Sequence, residues 1–256
     1  MTENDDMGRP AATVVIVRDR AGAMPELLMM ERASTMAFAA GALVFPGGAV
    51  DEADHDLAAR IGHRLEADEA AARIAAIRET IEEAGLGIAL CGATDAATIL
   101  RLRDGLYDGK PLRDLIDRHG VRLDLDALTP FARWHPAPFE QARRIYDTRF
   151  YIARAPEGQM ASVDSTENVR LFWSSAADTL ARCAAGEGQV IFPTRRNLER
   201  LALGASHADL MAQAMAYPVE KVRPWKEERD GEMHLCIPDH LGYPVTSEPL
   251  RQVRRA

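Results

Sequence analysis

Lysine is scarce in this chain. Lys110, Lys221 and Lys226 are the only lysines among 31 basic residues. With the alanine richness, that bias reads as genome base composition and carries no functional weight. Cysteine is scarce too. Cys91, Cys183 and Cys236 are scattered, odd in number and form no C-x-x-C pair. That argues against a disulfide framework and against a structural zinc site. The seven histidines show no metal spacing such as H-E-x-x-H. No apolar run approaches the roughly 20 residues that cross a bilayer, so no membrane association is expected. The opening MTENDDMGRP is polar and acidic, unlike a secretory or transit segment. A cytoplasmic location is expected. There is no internal repeat and no low-complexity linker.

What is present is an ordinary globular composition. Of 256 residues, 47% are hydrophobic and 27% charged, which excludes disordered, collagenous and coiled-coil chains. The formal net charge is −8. A nucleic-acid binder carries a basic face. The C-terminal segment instead sets Glu220, Glu227, Glu228 and Asp230 beside its few cations, and no basic helix-turn-helix is visible. No nucleic-acid partner is expected. An acidic enzyme working on an anionic substrate needs a metal ion to mediate.

Apolar periodicity outlines the elements. Strands are expected at 12–17, 27–30 and 42–45, the first two as a hairpin and the third stopped by Pro46-Gly47-Gly48. Helical composition follows over 56–85, divided near Gly62 or near 66–69, with a second helix over 69–84 capped by Gly85. A short strand at 88–91 and two helical segments at 95–105 and 111–119 look like an insertion. Strands return at 131–134, 149–153 and 169–173, then helices at 175–185, 194–203 and 206–216, and a terminal hairpin around 232–237. Thr194 reads as a helix N-cap. Interleaved strands and helices make a mixed α/β domain with helical insertions.

Chemistry concentrates in Arg78-Glu79-Thr80-Ile81-Glu82-Glu83-Ala84-Gly85-Leu86. At 100° per residue, Ile74, Ile77, Ile81 and Ala84 share one helix side, and Glu79, Glu82 and Glu83 lie near the other. Such spacing sets carboxylate stems about 5–6 Å apart. Two like charges 4 Å apart cost about 4 kcal/mol at an effective dielectric of 20. A wet helix face tolerates that; a concave site needs cations. Hard oxygen donors suit Mg²⁺ or Mn²⁺. Upstream, Phe45-Pro46-Gly47-Gly48 ends a strand in a bend that glycine takes freely and that brings backbone close to a ligand.

This conjunction resembles the Nudix hydrolases, whose signature is G-x5-E-x7-R-E-U-x-E-E-x-G-U with U a bulky aliphatic. Gly48, Arg78, Glu79, Glu82, Glu83, Gly85 and Leu86 match it. Asp54 stands in place of the first glutamate, Thr80 in place of an aliphatic, and 23 residues separate Asp54 from Arg78 where the family has 7. The lengthened loop is similar to a branch that includes peroxisomal coenzyme A diphosphatases. Phe45 to Asp54 (FPGGAVDEAD), Leu27 to Arg32 (LLMMER), Gly41, Asp147 to Tyr151 (DTRFY) and Phe192-Pro193-Thr194 fit that branch.

The resemblance implies an α/β/α sandwich with a central mixed sheet over 11–216, with insertions near 55–75 and 93–128. A loose tail at 1–10 would precede it, and an extension at 217–256 would pack on it or trail from it. It implies metal-dependent hydrolysis of a nucleoside diphosphate linked to another group. Coenzyme A or a thioester of it is favoured, NADH or ADP-ribose is the alternative, and a non-catalytic nucleotide sensor is a third reading. Glu79, Glu82 and Glu83 would ligate Mg²⁺ or Mn²⁺, with the Gly48 carbonyl as a further ligand. Arg78 would orient the glutamates, and Gly47, Gly48 and Arg32 would meet the substrate. The base would come from a distant loop, with Glu167 the first candidate and Asp164 the second. Trp134, Phe139, Tyr146 and Trp173 are read as core aromatics, with base stacking as the alternative. The partner is a nucleotide-type small molecule, and a homodimer is compatible with the reading.

Overall fold

The computed structural model describes residues 8–33, 41–92, 94–136, 145–163 and 168–253. Strand β1 (Arg9–Arg20) is the axis of a mixed sheet. It pairs antiparallel with β2 (Ala23–Arg32), with Val17 opposite Leu27, as the sequence predicts for a hairpin. On its other edge it runs parallel to β8 (Tyr146–Arg154), with Ala12 opposite Arg149. The sheet continues through β7 (Thr129–Trp134) to the two-residue β10 (Lys221–Val222), and β9 (Asn168–Ser174) pairs with β2.

Where β1 and β2 diverge, two short strands fill the gap. β3 (Leu43–Val44) pairs with β2 and β4 (Gly47–Ala49) pairs with β1. The double glycine therefore does not merely stop a strand, as the sequence suggests; it is itself a strand, with Gly48 opposite Ala12. A Cβ on Gly47, whose φ is +153°, would lie 2.3 Å from the Ala12 carbonyl oxygen. Only glycine permits that approach.

Alternation along β1 feeds two cores. Val14 and Ile16 point to one face, Val15 and Val17 to the other, and all four are fully buried. The first face is covered by α1 (Glu52–Ala58), α2 (Ala67–Ala84), α3 (Ala96–Tyr107) and α4 (Leu112–His119). The second packs against α5 (Ala176–Ala184), α6 (Phe192–Leu201) and α7 (His207–Ala216). This is the expected α/β/α sandwich. A small ribbon of β5 (Leu90–Gly92) and β6 (Val121–Leu123) brackets α3 and α4. No helix among the described residues is long and apolar enough to cross a membrane.

Helix α2 differs from its expected amphipathic form. Every residue from Ala70 to Ile77 is buried, Arg73 included, because α1, the turn at Leu125–Ala127 and the sheet enclose this stretch. Its first three residues and its last turns approach solvent. It begins at Ala67, two residues before the expected start, and ends as expected at Gly85, whose left-handed φ of +63° lets its N–H donate to the Ile81 carbonyl. Thr194 is not a cap. Ile191 holds that position, Pro193 occupies the first turn, and Thr194 is buried inside α6.

Beyond α7, the chain adds β11 (Trp225–Arg229), β12 (Glu232–Cys236) and β13 (Ser247–Pro249) as a second small sheet. Leu235, Ile237, Leu241 and Tyr243 from this region enter the second core. The Trp134 indole N–H donates to the Tyr243 hydroxyl at 2.9 Å. Trp134 is thus a core residue, and Trp173 lies under the Arg18 guanidinium at 4.2 Å.

Candidate active site

The last two turns of α2 abut β4. Gly48 is needed for space here, since a Cβ would sit 2.4 Å from the Glu79 carboxyl group. The neighbouring Gly47 N–H donates to Glu83 Oε2 at 2.8 Å. The acidic turn and the double-glycine strand, whose touching residues are 31 and 36 positions apart in the chain, are therefore in direct contact.

Arg78 organises this junction. Its Nε donates to Asp54 Oδ1 and its Nη2 to Asp54 Oδ2, both at 3.0 Å. Nη2 also donates to the Ala49 carbonyl at 3.0 Å, and Nη1 reaches Glu79 at 2.8 Å and Glu82 at 3.4 Å. Burial works against its charge, but Asp54, Glu79 and Glu82 more than offset that, and the guanidinium is held firmly protonated. Asp54, almost wholly buried, accepts from the Asp51 N–H at 2.9 Å as well, closing the first turn of α1. The residue standing in place of the first glutamate is thus the anchor of the arginine. The lengthened loop enters the fold as α1, a break at 59–66 and extra turns at the start of α2.

The three glutamates are electrostatically uncomfortable. Burial raises the Glu79 carboxyl above its usual range against the pull of Arg78. Burial and the charge of Glu79 push Glu82 up to about 7. Burial pushes Glu83 up to about 8, against the hydrogen bond from Gly47. Clustered buried carboxylates of this kind mark functional sites.

Arg32 lies at the end of β2 opposite Asn168, and its charge acts on Glu83. Its Nε is buried with no hydrogen-bond partner among the described residues. Asn168, which sequence reasoning passed over, donates from Nδ2 to Glu83 Oε1 at 3.4 Å. Its only signal was its position beside the candidate base. That base, Glu167, with its rival Asp164, lies outside the described residues, as does Phe139.

Donor chemistry fits a divalent cation. Asp54, Glu79, Glu82 and Glu83 face two guanidinium groups, which leaves negative charge in surplus. Hard oxygen donors with uncompensated charge are what Mg²⁺ and Mn²⁺ take. No ready-made cage exists, however. Among the described residues no three such side chains converge on one point, because Glu79 and Glu82 turn to Arg78 while Glu83 turns to Gly47.

No family model matches the chain. Among solved structures, a NUDIX hydrolase from Alicyclobacillus acidocaldarius is similar at 29% identity, over 80% of this chain and 95% of that one, with a TM-score of 0.70. A MutT NUDIX hydrolase from Burkholderia pseudomallei is 18% identical over 75% of this chain and 95% of its own, at TM-score 0.42. The NUDIX domain of Shewanella oneidensis NrtR, complexed with ADP ribose, is 14% identical over 78% of this chain and 96% of its own, at 0.43. The last two likenesses are remote. The first, with the α/β/α fold, supports the Nudix hydrolase superfamily for this chain.

Proposed function

We propose that this Nudix pyrophosphohydrolase cleaves the diphosphate of a nucleoside diphosphate linked to another group, with coenzyme A or one of its thioesters as the favoured substrate. The carrying observation is the contact of Glu79 with Gly48 and of Glu83 with Gly47, braced by Arg78 on Asp54. Similarity of FPGGAVDEAD, LLMMER and DTRFY to the coenzyme A diphosphatase branch supports the substrate.

Glu79, Glu82 and Glu83, with the Gly48 carbonyl, would hold Mg²⁺ or Mn²⁺. Such an ion neutralises diphosphate oxygens and lowers the pKa of a bound water. Arg78 restrains Glu79 and Glu82 and does not touch the substrate. Arg32 offers a fork of N–H donors to a phosphate from the strand edge beside Glu83. The double-glycine strand, lacking side chains, lets a diphosphate approach the backbone. Glu167 takes the proton from the attacking water. The substrate is a small molecule rather than nucleic acid, as the net charge of −8 supports, and is met in the cytoplasm.

Incubation with Mg²⁺ or Mn²⁺ and a panel of coenzyme A, its thioesters, NADH and ADP-ribose tests the proposal by mass spectrometry of the products. Release of adenosine 3′,5′-bisphosphate from coenzyme A is expected. Preferred release of a 5′-monophosphate from NADH or ADP-ribose would move the substrate to those dinucleotides. The turn of Glu79 and Glu82 toward Arg78 favours a second reading, a nucleotide sensor. It replaces the first if one panel member binds tightly and none is cleaved.

A further inference from the structure

The helical insertion at 93–128 contributes a side chain that the signature does not contain. Arg103, on α3, is buried at 7% exposure, and among the described residues its hydrogen bonds go to carbonyl and hydroxyl oxygens rather than to a carboxylate. Its guanidinium is spent on the end of α2. Nε donates to the Glu82 carbonyl at 2.8 Å, Nη2 to the Glu83 carbonyl at 3.3 Å, and Nη1 to Ser162 Oγ at 2.7 Å. Tyr107, one turn along α3, donates its hydroxyl to the same Glu82 carbonyl at 2.6 Å and accepts from Arg103 Nε at 2.9 Å.

A helix leaves its last four carbonyls without partners. In α2 all four are accounted for. Ile81 receives the Gly85 N–H, Ala84 receives the Ser162 N–H at 2.9 Å, and Glu82 and Glu83 are taken by the α3 clamp. Water or a lysine could satisfy those carbonyls. A buried guanidinium without a carboxylate is a costly way to do so. It fixes the backbone of two adjacent acidic residues from one rigid group. The fit leaves no slack, since a Cβ on Gly85 would lie 3.0 Å from Arg103 Nη1 and 2.9 Å from Ser162 Oγ.

We infer that Arg103, assisted by Tyr107, is a positioning residue: it holds the backbone of Glu82 and Glu83 so that both carboxylates can serve one divalent ion. This rests on the reading of the acidic turn as a metal site. Arg103 touches neither ion nor substrate and acts through the helix end.

The test is direct Mn²⁺ titration of the full chain, followed by electron paramagnetic resonance without substrate, beside thermal unfolding. Arg103→Met is expected to weaken Mn²⁺ binding roughly tenfold or more, the scale of a lost outer partner of a metal site. Tyr107→Phe, which keeps the ring and removes the hydroxyl that bridges Arg103 and the Glu82 carbonyl, is expected to weaken it about threefold with little change in Tm. Arg103→Lys should recover part of the loss. Arg73→Met is the control. Arg73 is equally buried on α2 but bonds to Glu69 and the Leu125 carbonyl at the other end. It should lower Tm and leave Mn²⁺ affinity unchanged.

The inference is overturned if folded Arg103→Met binds Mn²⁺ as the parent does, or if Arg103→Met and Arg73→Met weaken it equally. If Arg103→Met does not fold, Tyr107→Phe decides, and parental affinity in that variant overturns the inference. A parent chain that binds no Mn²⁺ overturns the metal-site reading itself.

Discussion

Asp54 and Arg78 form a two-point pair, with both carboxylate oxygens 3.0 Å from separate guanidinium nitrogens and only 2% of the Asp54 side chain exposed. The pair joins α1 to the acidic end of α2. Through Arg78 it also reaches the Ala49 carbonyl, so three segments meet on one guanidinium. Breaking such a pair leaves a buried charge without compensation, which costs about 3–5 kcal/mol. Asp54→Ala should therefore lower Tm markedly and reduce turnover at least tenfold. Differential scanning calorimetry and kinetics on the folded fraction check both effects. A Tm within one degree of the parent would remove Asp54 from its anchoring role.

Glu82→Gln should leave the fold intact, because Glu82 is the most exposed of the three glutamates and holds Arg78 only at 3.4 Å. Loss of its charge should cost at least tenfold in kcat, equivalent to about 1.4 kcal/mol of barrier. Steady-state rates at saturating Mg²⁺ give the answer, and chelation by EDTA should abolish turnover in the parent. Undiminished kcat in Glu82→Gln would take that residue out of the chemistry.

The two glycines of β4 should respond differently to alanine. At Gly47 the new methyl meets backbone, 2.3 Å from the Ala12 oxygen and 2.6 Å from the Thr13 Cα. At Gly48 its three nearest atoms all belong to the Glu79 carboxylate, a movable end. Gly47→Ala should therefore be the destabilising change, by roughly 2–3 kcal/mol of overpacking and strain. Gly48→Ala should keep its Tm within a few degrees while losing activity, because Glu79 must move. Urea unfolding set beside kcat separates the two, and the reverse order would refute the contact assignment.

Acid stability should depend on Asp147. Burial opposes its charge, but Arg133 at 2.7 Å through both oxygens and Lys221 at 2.6 Å hold its carboxyl below the ordinary range. A folded-state pKa below the unfolded one contributes stability above the unfolded value of about 3.9, and that contribution is lost as pH falls through the folded value. Asp147→Asn should thus be destabilised more at pH 7 than at pH 3. Equal losses at both pH values would mean that the carboxylate charge contributes nothing. The same ion group ties β10, from the C-terminal extension, to the main sheet.

Much of this architecture was legible because it is local. Continuous apolar residues in β1, the hairpin to β2, the Gly85 cap and the helical insertion follow from side-chain periodicity and turn chemistry over a few residues. Two misreadings fell where a distant segment overrode a local preference, and one on a helix boundary. Pro46-Gly47-Gly48 looks like a stop signal, yet β1 offers an open ladder beside it and the glycines are small enough to join. Thr194 looks like a cap, yet Ile191 and Pro193 begin the helix earlier. The first half of α2 does not look buried on all sides, because its covering elements come from other parts of the chain.

The sequence by itself determined which groups exist: three carboxylates on one helical rotation, an arginine beside them and a side-chain-free strand upstream. Covalent spacing and helix geometry suffice for that. The tertiary structure alone decided what each group faces. Asp54 became the anchor of Arg78, Arg32 and Asn168 came to Glu83, and Arg103 closed the end of α2. These partners are separated by 20 to 85 residues, and such contacts form only when packing two cores against one sheet fixes the relative positions of helices and strands.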